Sequence, residues 1–169
     1  MEKSFKIIAA IGLALMMTVS VYASYPRFDN YYNSRGYSTS AADIKSVQRA
    51  EERAQGEKYI ALANQQVSAA ALHEFGFHHR YIKKEGQEIY FYPIPTGGPL
   101  YQYYLNMVYK KANRQNMLAA MDFADVNRAY LIINKYWWAS DKIIAEAKMS
   151  ADYWEKIEQG ENYLFEYHR

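Results

Sequence analysis

Residues 100–159 contain neither glycine nor proline, and no other feature of this sequence constrains its fold more strongly. Glycine and proline are the residues that most destabilise helix interiors, so their absence over such a length favours helices. Apolar residues recur with steps of three and four from Leu100 to Val108 and again from Val126 to Trp154. The second series has the spacing of a coiled-coil seam. These patterns predict that most of the stretch is helical.

The boundaries of the second helix follow from its end residues. Asp122 is a suitable N-cap, and Gly160 is a residue that terminates helices. Ser140 and Ser150 are also good caps within the stretch. The sequence therefore predicts either one long helix over residues 122–159 or two helices that meet near one of these serines. The apolar seam also predicts a surface through which the chain forms a homo-oligomer.

A preceding helix is expected to begin at Ser40. Asp43, three positions later, places a carboxylate in the first turn, where free backbone N–H groups favour it. The helix is expected to run to about Phe75, where Gly76 stops it. Gly56 lies between two apolar stripes and predicts a kink.

Two short aromatic-rich runs follow within residues 77–92, joined by Lys84-Glu85-Gly86. This pattern is typical of a β-hairpin. Residues 93–99 hold three prolines and two glycines, which predicts a linker. Because an isolated hairpin is only marginally stable in water, we expect it to pack on the helices.

Together these patterns predict a mainly α fold, a small helical bundle with a single β-hairpin. The helical domain is expected over residues 40–169. A signal peptide over residues 1–23 and a flexible, Tyr-rich arm over residues 24–39 precede it. The arm has no apolar period and is dense in Ser, Asn, Tyr and Gly.

The first 23 residues have the three parts of a secretory signal peptide. Two lysines give a basic start, an unbroken apolar run covers Ile7–Met17, and Val21 and Ala23 occupy the small-residue positions of a cleavage site. The apolar run is shorter than the roughly 20 residues of a membrane-spanning helix. We therefore expect a periplasmic or secreted protein, cleaved after Ala23 and without a stable membrane span. An uncleaved membrane anchor is the alternative.

The net charge and the lack of cysteine exclude several classes of function. The formal charge is +2, and the signal peptide takes away two Lys and one Glu, which leaves +1. This balance gives no electrostatic basis for binding nucleic acid. Without cysteine the chain has no disulfide, no thiol catalysis and no lipid attachment site. No nucleophile elbow, dinucleotide-binding glycine motif or phosphate loop occurs either. We therefore expect no enzymatic activity and no cofactor.

His73, His78 and His79 are the only local cluster of metal-type ligands in the sequence. His73 and His78 are five positions apart, whereas the metalloprotease motif places its two histidines four apart. A bend at Gly76 would nevertheless bring His73 close to His78 or His79, and imidazole binds both copper and zinc. A periplasmic metal-binding protein that uses these three histidines is therefore the alternative function.

Tyrosine is unusually frequent, at 18 of 169 residues. Its ring offers a large contact area at low entropic cost, which suits a surface that binds a partner. The tyrosines of the arm lie in no core-forming pattern, and two tyrosines of the second hairpin strand share one face of that strand. The predicted partner-binding residues are Tyr25, Tyr31, Tyr32, Tyr37, Tyr90 and Tyr92.

Residues 122–143 read DFADVNRAY from Asp122 to Tyr130 and INKYWWASDKI from Ile133 to Ile143. This stretch resembles a helical segment of the conjugative pilus-assembly proteins, in which an exported, largely helical region precedes a thioredoxin-like domain. The resemblance implies a periplasmic accessory of an envelope-spanning transfer apparatus. It implies no redox role, because this chain has no cysteine.

The sequence as a whole predicts an exported, non-catalytic interaction or assembly protein of the cell envelope. An accessory role in a conjugative or secretion apparatus is the more specific form of this prediction. The expected partners are envelope proteins, bound through the Tyr-rich arm, the hairpin with its linker, and exposed parts of residues 122–159.

Overall fold

The computed structural model of the chain describes residues 2–24, 39–83, 86–94 and 97–169. Residues 25–38 of the predicted arm lie outside the described residues, and with them four of the predicted partner-binding tyrosines. These four are Tyr25, Tyr31, Tyr32 and Tyr37.

The described residues form six α-helices and six β-strands. The helices are α1 (Glu2–Ser24), α2 (Ala41–Ala54), α3 (Gln65–Phe75), α4 (Pro99–Leu105), α5 (Arg114–Ala124) and α6 (Ser140–Ser150). The strands are β1 (Tyr59–Leu62), β2 (Arg80–Ile82), β3 (Glu88–Tyr90), β4 (Arg128–Asn134), β5 (Tyr153–Ile157) and β6 (Asn162–His168). A π-helical turn, Asn106–Lys110, continues α4, and a short 3-10 turn, Glu158–Gly160, precedes β6.

The centre of the fold is a mixed four-stranded sheet with the strand order β1-β4-β6-β5. Strands β1 and β4 are parallel, whereas β6 runs antiparallel to both of its neighbours. Side chains alternate between the two faces of the sheet. One face packs on α2 and α3 and includes Tyr59, Tyr130 and Leu164. The other face packs on α4, α5 and α6 and includes Leu131 and Phe165. The architecture is therefore a three-layer α/β sandwich.

The predicted mainly α bundle with a single hairpin is wrong, because this sheet forms the core. The physical reason is clearest at residues 129–133, which are all buried and lie on alternating faces of β4. A strand that is buried on both faces is a continuous apolar run. Such a run also fills the positions of a helical stripe, so spacing alone does not separate the two structures.

Residues 122–159 therefore do not form the predicted helix. Asp122 lies in the last turn of α5, and Asp125 ends that helix with a positive φ of 55°. The chain then continues through β4, α6 and β5. A homo-oligomer through a helix over these residues loses its structural basis.

The start of α2 is as predicted. The Ser40 hydroxyl accepts a hydrogen bond from the Asp43 N–H, and Oδ2 of Asp43 accepts one from the Ser40 N–H at 2.9 Å. The helix nevertheless ends at Ala54 rather than near Phe75. Gln55 and Gly56 both have positive φ, at 51° and 81°, so the chain turns out of the helix and into β1.

The predicted hairpin is confirmed as the antiparallel pair β2–β3, within residues 77–92. The Lys83 N–H donates to the Gln87 carbonyl at 2.9 Å at the mouth of the turn. The predicted linker is wrong at its last residue. Pro99 is already the first residue of α4, a position where proline fits because its missing N–H would have no helical partner.

Residues 2–23 of the expected signal peptide lie within the helix α1. No helix in the described part of the chain combines the length and the apolar character needed to cross a membrane.

Candidate functional site

The sheet has a topological switch point between the parallel strands β1 and β4, and we use the term crevice for the position outside their carboxyl ends. Because they are parallel neighbours, their carboxyl ends lie at the same edge. The helix that follows β1, α3, packs on one face of the sheet, while the helix that follows β4, α6, packs on the other. In α/β sheets, ligands bind in the crevice where two adjacent strands diverge in this way. This carboxyl edge is therefore the candidate ligand-binding site.

The floor of the crevice is a buried network of amides around one carboxylate. Asn64, the N-cap residue of α3 two positions after β1, donates its side-chain N–H to Oδ1 of Asn134, the last residue of β4, at 2.7 Å. Asn134 and Asn162, the first residue of β6, both donate to Oδ1 of Asp43, at 2.6 and 3.0 Å. Asn162 also donates to the Ser46 hydroxyl at 3.0 Å. The network joins the helix α2 to the strands β4 and β6 and to the start of α3.

Asp43 has no accepting capacity left for a ligand. Its Oδ1 accepts from the two amides, and its Oδ2 accepts from the N–H and the hydroxyl of Ser40. Four hydrogen bonds correspond to the usual capacity of a carboxylate. The residue therefore holds the floor together and is not placed to act on a substrate.

Tyr136 lies at the mouth of the crevice. Its hydroxyl accepts a hydrogen bond from the Asn64 amide at 3.2 Å and donates to Oε1 of Gln66 at 3.3 Å. A half-buried phenol of this kind presents an apolar ring with a polar end. The groups at the mouth are thus a neutral hydroxyl and neutral amides.

Beside this mouth, six aromatic residues from two segments form what we call the aromatic cluster. Its members are Tyr101, Tyr104, Tyr109, Tyr136, Trp137 and Trp138. Tyr104 is at the centre, 5.7 Å from Tyr101 and 5.9 Å from Trp137 between ring centroids. Burial raises the pKa of the Tyr104 phenol, and the phenols of Tyr101, Tyr136 and Tyr109 raise it further.

The outer members of the cluster, Tyr109 and Trp138, are stacked on each other and face solvent. Their ring centroids are 5.6 Å apart and their planes differ by 30°. The exposed fractions are 57% for Tyr109 and 58% for Trp138. The two rings pack on each other, and yet more than half of each remains exposed. This pair is the most conspicuous surface feature of the carboxyl edge.

The local backbone of both outer residues departs from regular structure. Tyr109 lies in the π-helical turn, closed by a hydrogen bond of 3.1 Å from the Lys111 N–H to the Asn106 carbonyl. Single π-helical turns are rare and often occur at functional sites. Ala139, next to Trp138, has a positive φ of 55°, which is unfavourable for a residue other than glycine. Strain of this kind also concentrates at functional sites.

Trp137 occupies the boundary between the core and this surface. It is half-buried against the core and meets Tyr104 edge to face. Its indole N–H is buried and has no hydrogen-bond acceptor among the described residues. Unpaired buried polar groups are few in native structures, so this one adds to the irregular features of the region.

The three histidines predicted as metal ligands have different surroundings. Nδ1 of His73 lies 2.9 Å from Oε1 of Glu74, on the exposed side of α3. His78 is exposed in the turn before β2. His79 turns inward, where its ring lies between those of Phe75 and Phe91, at centroid distances of 4.6 and 4.1 Å.

His79 takes part in a hydrogen-bonded group at the seam of α2 and β1. Its Nε2 lies 3.2 Å from the Tyr59 hydroxyl and 3.3 Å from Oε2 of Glu51, and the Tyr59 hydroxyl donates to that same oxygen at 2.7 Å. Burial lowers the pKa of His79 below its ordinary value of 6.5, although the charge of Glu51 opposes this shift. Within the described residues, no group of three or more His, Cys, Asp or Glu is arranged to hold a metal ion.

The two hairpin tyrosines predicted to bind a partner differ in burial. Tyr90 is half-buried, with its hydroxyl 3.4 Å from Arg80. Tyr92 is 1% exposed and belongs to the core on the α2–α3 face. The chain leaves strand β3 at Tyr90, so the alternation that placed both rings on one face does not extend to Tyr92.

Comparison of the chain with protein-family models, with curated proteins and with solved structures gives no match.

The sequence contains a signal for the crevice that is independent of helical spacing. Asn64 directly follows the buried run of residues 59–63, and Asn134 directly follows the buried run of residues 129–133. A polar residue immediately after a buried parallel strand lies at the carboxyl edge of the sheet. The interpretation of both runs as helix concealed this signal.

Replacement of Asp43 by alanine should destabilise the fold by about 3 kcal/mol, since a helix cap is lost and two buried amides lose their acceptor. Asp141→Ala is the matched control. Asp141 is also a first-turn acid, of α6, but its side chain is 85% exposed and pairs with Lys135 at the surface. Its loss should cost less than about 1 kcal/mol. Denaturant unfolding measures both values, and equal losses would contradict the role given to Asp43.

The lowered pKa of His79 predicts a pH dependence of stability. Below pH 6.5 the unfolded chain binds a proton at this position more readily than the folded chain. The stabilisation is therefore complete above pH 6.5 and is lost as the pH falls through the folded value. His79→Gln should reduce the loss of unfolding free energy between pH 7.5 and pH 5. His78→Gln, on the exposed turn, should keep the wild-type dependence, and a wild-type slope in both variants would contradict this account.

Proposed function

We propose that this protein is an exported, non-catalytic binding protein of the cell envelope, which holds its ligand at the aromatic cluster. The observation that carries this proposal is the exposure of the stacked pair Tyr109 and Trp138 beside the crevice of the sheet. The proposed binding surface is the carboxyl edge, whereas the sequence predicted the Tyr-rich arm and the hairpin.

The stacked pair has the properties of a binding surface. Trp and Tyr are enriched among the residues that contribute most to binding energy. Each ring already holds the other in place, so little conformational freedom is lost when a ligand covers them. The neighbouring Tyr136 and Gln66 add hydrogen-bonding groups that can orient a ligand.

A role in binding rather than in catalysis agrees with the chemistry of the crevice. Hydrolytic chemistry on glycans, for example, needs two carboxyl groups placed on either side of the scissile bond. The carboxylate of the crevice floor, Asp43, is buried and has all four of its hydrogen bonds made within the protein. The groups at the mouth are neutral amides and hydroxyls, which bind but do not readily transfer protons at neutral pH.

Export to the periplasm or the outside of the cell is proposed from residues 1–23, with their basic start, apolar run and small-residue site. A place in a conjugative or secretion apparatus stays a prediction of the resemblance of residues 122–143.

The export proposal is tested by N-terminal sequencing of the protein recovered from outside the cytosol. We expect the sequence to begin at Ser24, because Val21 and Ala23 fit the positions that the signal peptidase reads. A protein that begins at Met1 and sediments with membranes would show that the segment is an anchor.

The binding proposal is tested by co-sedimentation of the purified mature protein with isolated envelope material from the cells that produce it. Trp138→Ala should reduce the bound fraction at least about fivefold, because removal of one ring dismantles the stacked pair. The variant's unfolding free energy should stay within about 0.5 kcal/mol of the wild-type value, since the side chain is exposed. Trp154→Ala is the matched control: Trp154 is 39% exposed, but on β5, and should bind as the wild type does. Equal binding by both variants would contradict the proposal.

A further inference from the structure

The chain segment that begins at Tyr109 lies alongside the helix α6. At one end, Tyr109 stacks on Trp138, which comes two positions before the first residue of the helix. At the other end, the Ala112 N–H donates to Oε2 of Glu146 at 3.0 Å, and the Ser150 hydroxyl donates to the Ala112 carbonyl at 3.3 Å. The segment and the helix therefore form one continuous surface beside the aromatic cluster.

Two lysines of this segment carry charge that the fold does not pair. Lys110 and Lys111 lie between the two contacts and are exposed. Neither has an ion-pair partner within the described part of the chain. The two acidic side chains of α6 each lie against another lysine. These pairs are Asp141 with Lys135 and Glu146 with Lys142. The surface therefore keeps a net positive charge.

The same surface exposes apolar side chains. Met149, on the solvent side of α6, is 80% exposed, more than any other large apolar side chain of the described residues outside α1 and within it. Lys142, seven positions earlier, lies on the same side of the helix. Tyr109 and Trp138 are each more than half exposed next to the start of the helix. We use the term α6 surface for Tyr109, Lys110, Lys111, Trp138, Lys142 and Met149.

A bilayer with anionic headgroups is complementary to this combination of side chains. Trp and Tyr are enriched at membrane–water interfaces, because each has an apolar ring with a polar end. An interface needs no flat platform, so two rings that stack on each other can still enter it with their exposed parts. Each lysine near an anionic leaflet strengthens binding about fivefold.

A soluble polyanion is less complementary to the α6 surface. It would neutralise the lysines, but it has no apolar phase to cover Met149 and the two exposed rings. Binding of a bilayer surface, in contrast, combines burial of apolar area with attraction to anionic lipids.

We infer that the site binds the surface of an anionic phospholipid bilayer. Tyr109, Trp138 and Met149 enter the interface, and Lys110 and Lys111 meet the phosphate groups of the lipids. This inference rests on the proposed function, because it names what the same site binds in the envelope.

The test is a titration of the exported protein with vesicles of about 70% phosphatidylcholine and about 30% phosphatidylglycerol, followed by sedimentation and by tryptophan fluorescence. The wild type should bind saturably, and its emission should shift to shorter wavelength as Trp138 leaves water. Vesicles of phosphatidylcholine alone should bind at least about tenfold more weakly, because they offer the lysines no net charge. Equal binding of the two kinds of vesicle would overturn the inference.

The apolar contact is tested by replacement of Trp138 and Met149. Trp138→Ala should weaken vesicle binding at least about fivefold and abolish most of the emission shift, and Met149→Gln should weaken binding at least about threefold. Phe77→Ala is the matched control. Phe77 is 58% exposed, as Trp138 is, but it follows α3, which packs on the other face of the sheet. Its loss should change binding less than about twofold. Equal effects of Trp138→Ala and Phe77→Ala would contradict the assignment of this surface.

The charge contact is tested by the double variant Lys110→Gln, Lys111→Gln. It should weaken binding to the anionic vesicles at least about tenfold at low salt. The double variant Lys45→Gln, Lys58→Gln removes the same formal charge from α2 and from the residue before β1, and should stay within about threefold. Equal losses in the two double variants would show that net charge, and not the α6 surface, determines binding.

Salt and a soluble polyanion complete the test. Wild-type binding to the anionic vesicles should fall at least about fivefold between about 50 and 500 mM NaCl, because exposed charges are screened. Binding that does not change with salt would contradict the role of the lysines. Saturable binding of dextran sulfate without saturable binding of the anionic vesicles would overturn the inference in favour of a soluble polyanion.

The proposed function and this inference fail separately. Envelope binding that depends on Trp138, together with no binding of the anionic vesicles, would leave the proposed binding role intact and remove the bilayer. Envelope binding that is unchanged by Trp138→Ala, together with no binding of the vesicles, would remove both.

Discussion

The buried carboxylate of Asp43 is the interaction on which the rest of the carboxyl edge depends. It is 1% exposed and is satisfied by neutral donors from Ser40, Asn134 and Asn162. A buried charge is tolerated only where hydrogen bonds replace its hydration, so the position of α2 over the sheet follows from the need to bring these donors together. The same bonds orient Asn134, and its Oδ1 accepts a hydrogen bond from the side-chain amide of Asn64. Without the carboxylate the crevice has no fixed floor.

A single turn, residues 134–140, connects this buried network to the surface. The backbone N–H of Trp137 donates to the Asn134 carbonyl at 3.0 Å, and the Ser140 hydroxyl donates to the Lys135 carbonyl at 2.8 Å. These bonds determine the orientation of three consecutive aromatic residues. The Tyr136 hydroxyl reaches the crevice, Trp137 packs against the core, and Trp138 is left outside, where Tyr109 stacks on it. A polar network in the interior thus positions an aromatic surface that solvent reaches.

Local signals in the sequence were sufficient to predict helix caps and the hairpin, but they were not sufficient to predict the central sheet. The cap at Ser40 and the hairpin within residues 77–92 depend on neighbours a few positions away, and both were predictable. The crevice depends on contacts between residues up to 119 positions apart, such as Asn162 with Asp43, and no periodicity reports such contacts. The apolar run of residues 129–133 fits a helix and a buried strand equally well, and its pairing with β1 and β6 decides between them. Once that run was assigned to a helix, the crevice could not be derived.

The opposite edge of the sheet is held together by ionic groups rather than by amides. There the carboxylate of Glu166 is 3% exposed, accepts a hydrogen bond from Nε of Arg53 at 2.6 Å, and lies 3.7 Å from Nε of Arg128. These residues lie near the start of β4 and the end of β6, a full strand length away from Asn134 and Asn162. The charges of this end are paired with one another across the sheet, because an unpaired charge at that depth would be costly. The fold therefore separates two kinds of polar chemistry. Ion pairs of Glu166 with Arg53 and Arg128 stabilise the amino edge, whereas neutral amides bonded to the buried Asp43 carboxylate stabilise the carboxyl edge.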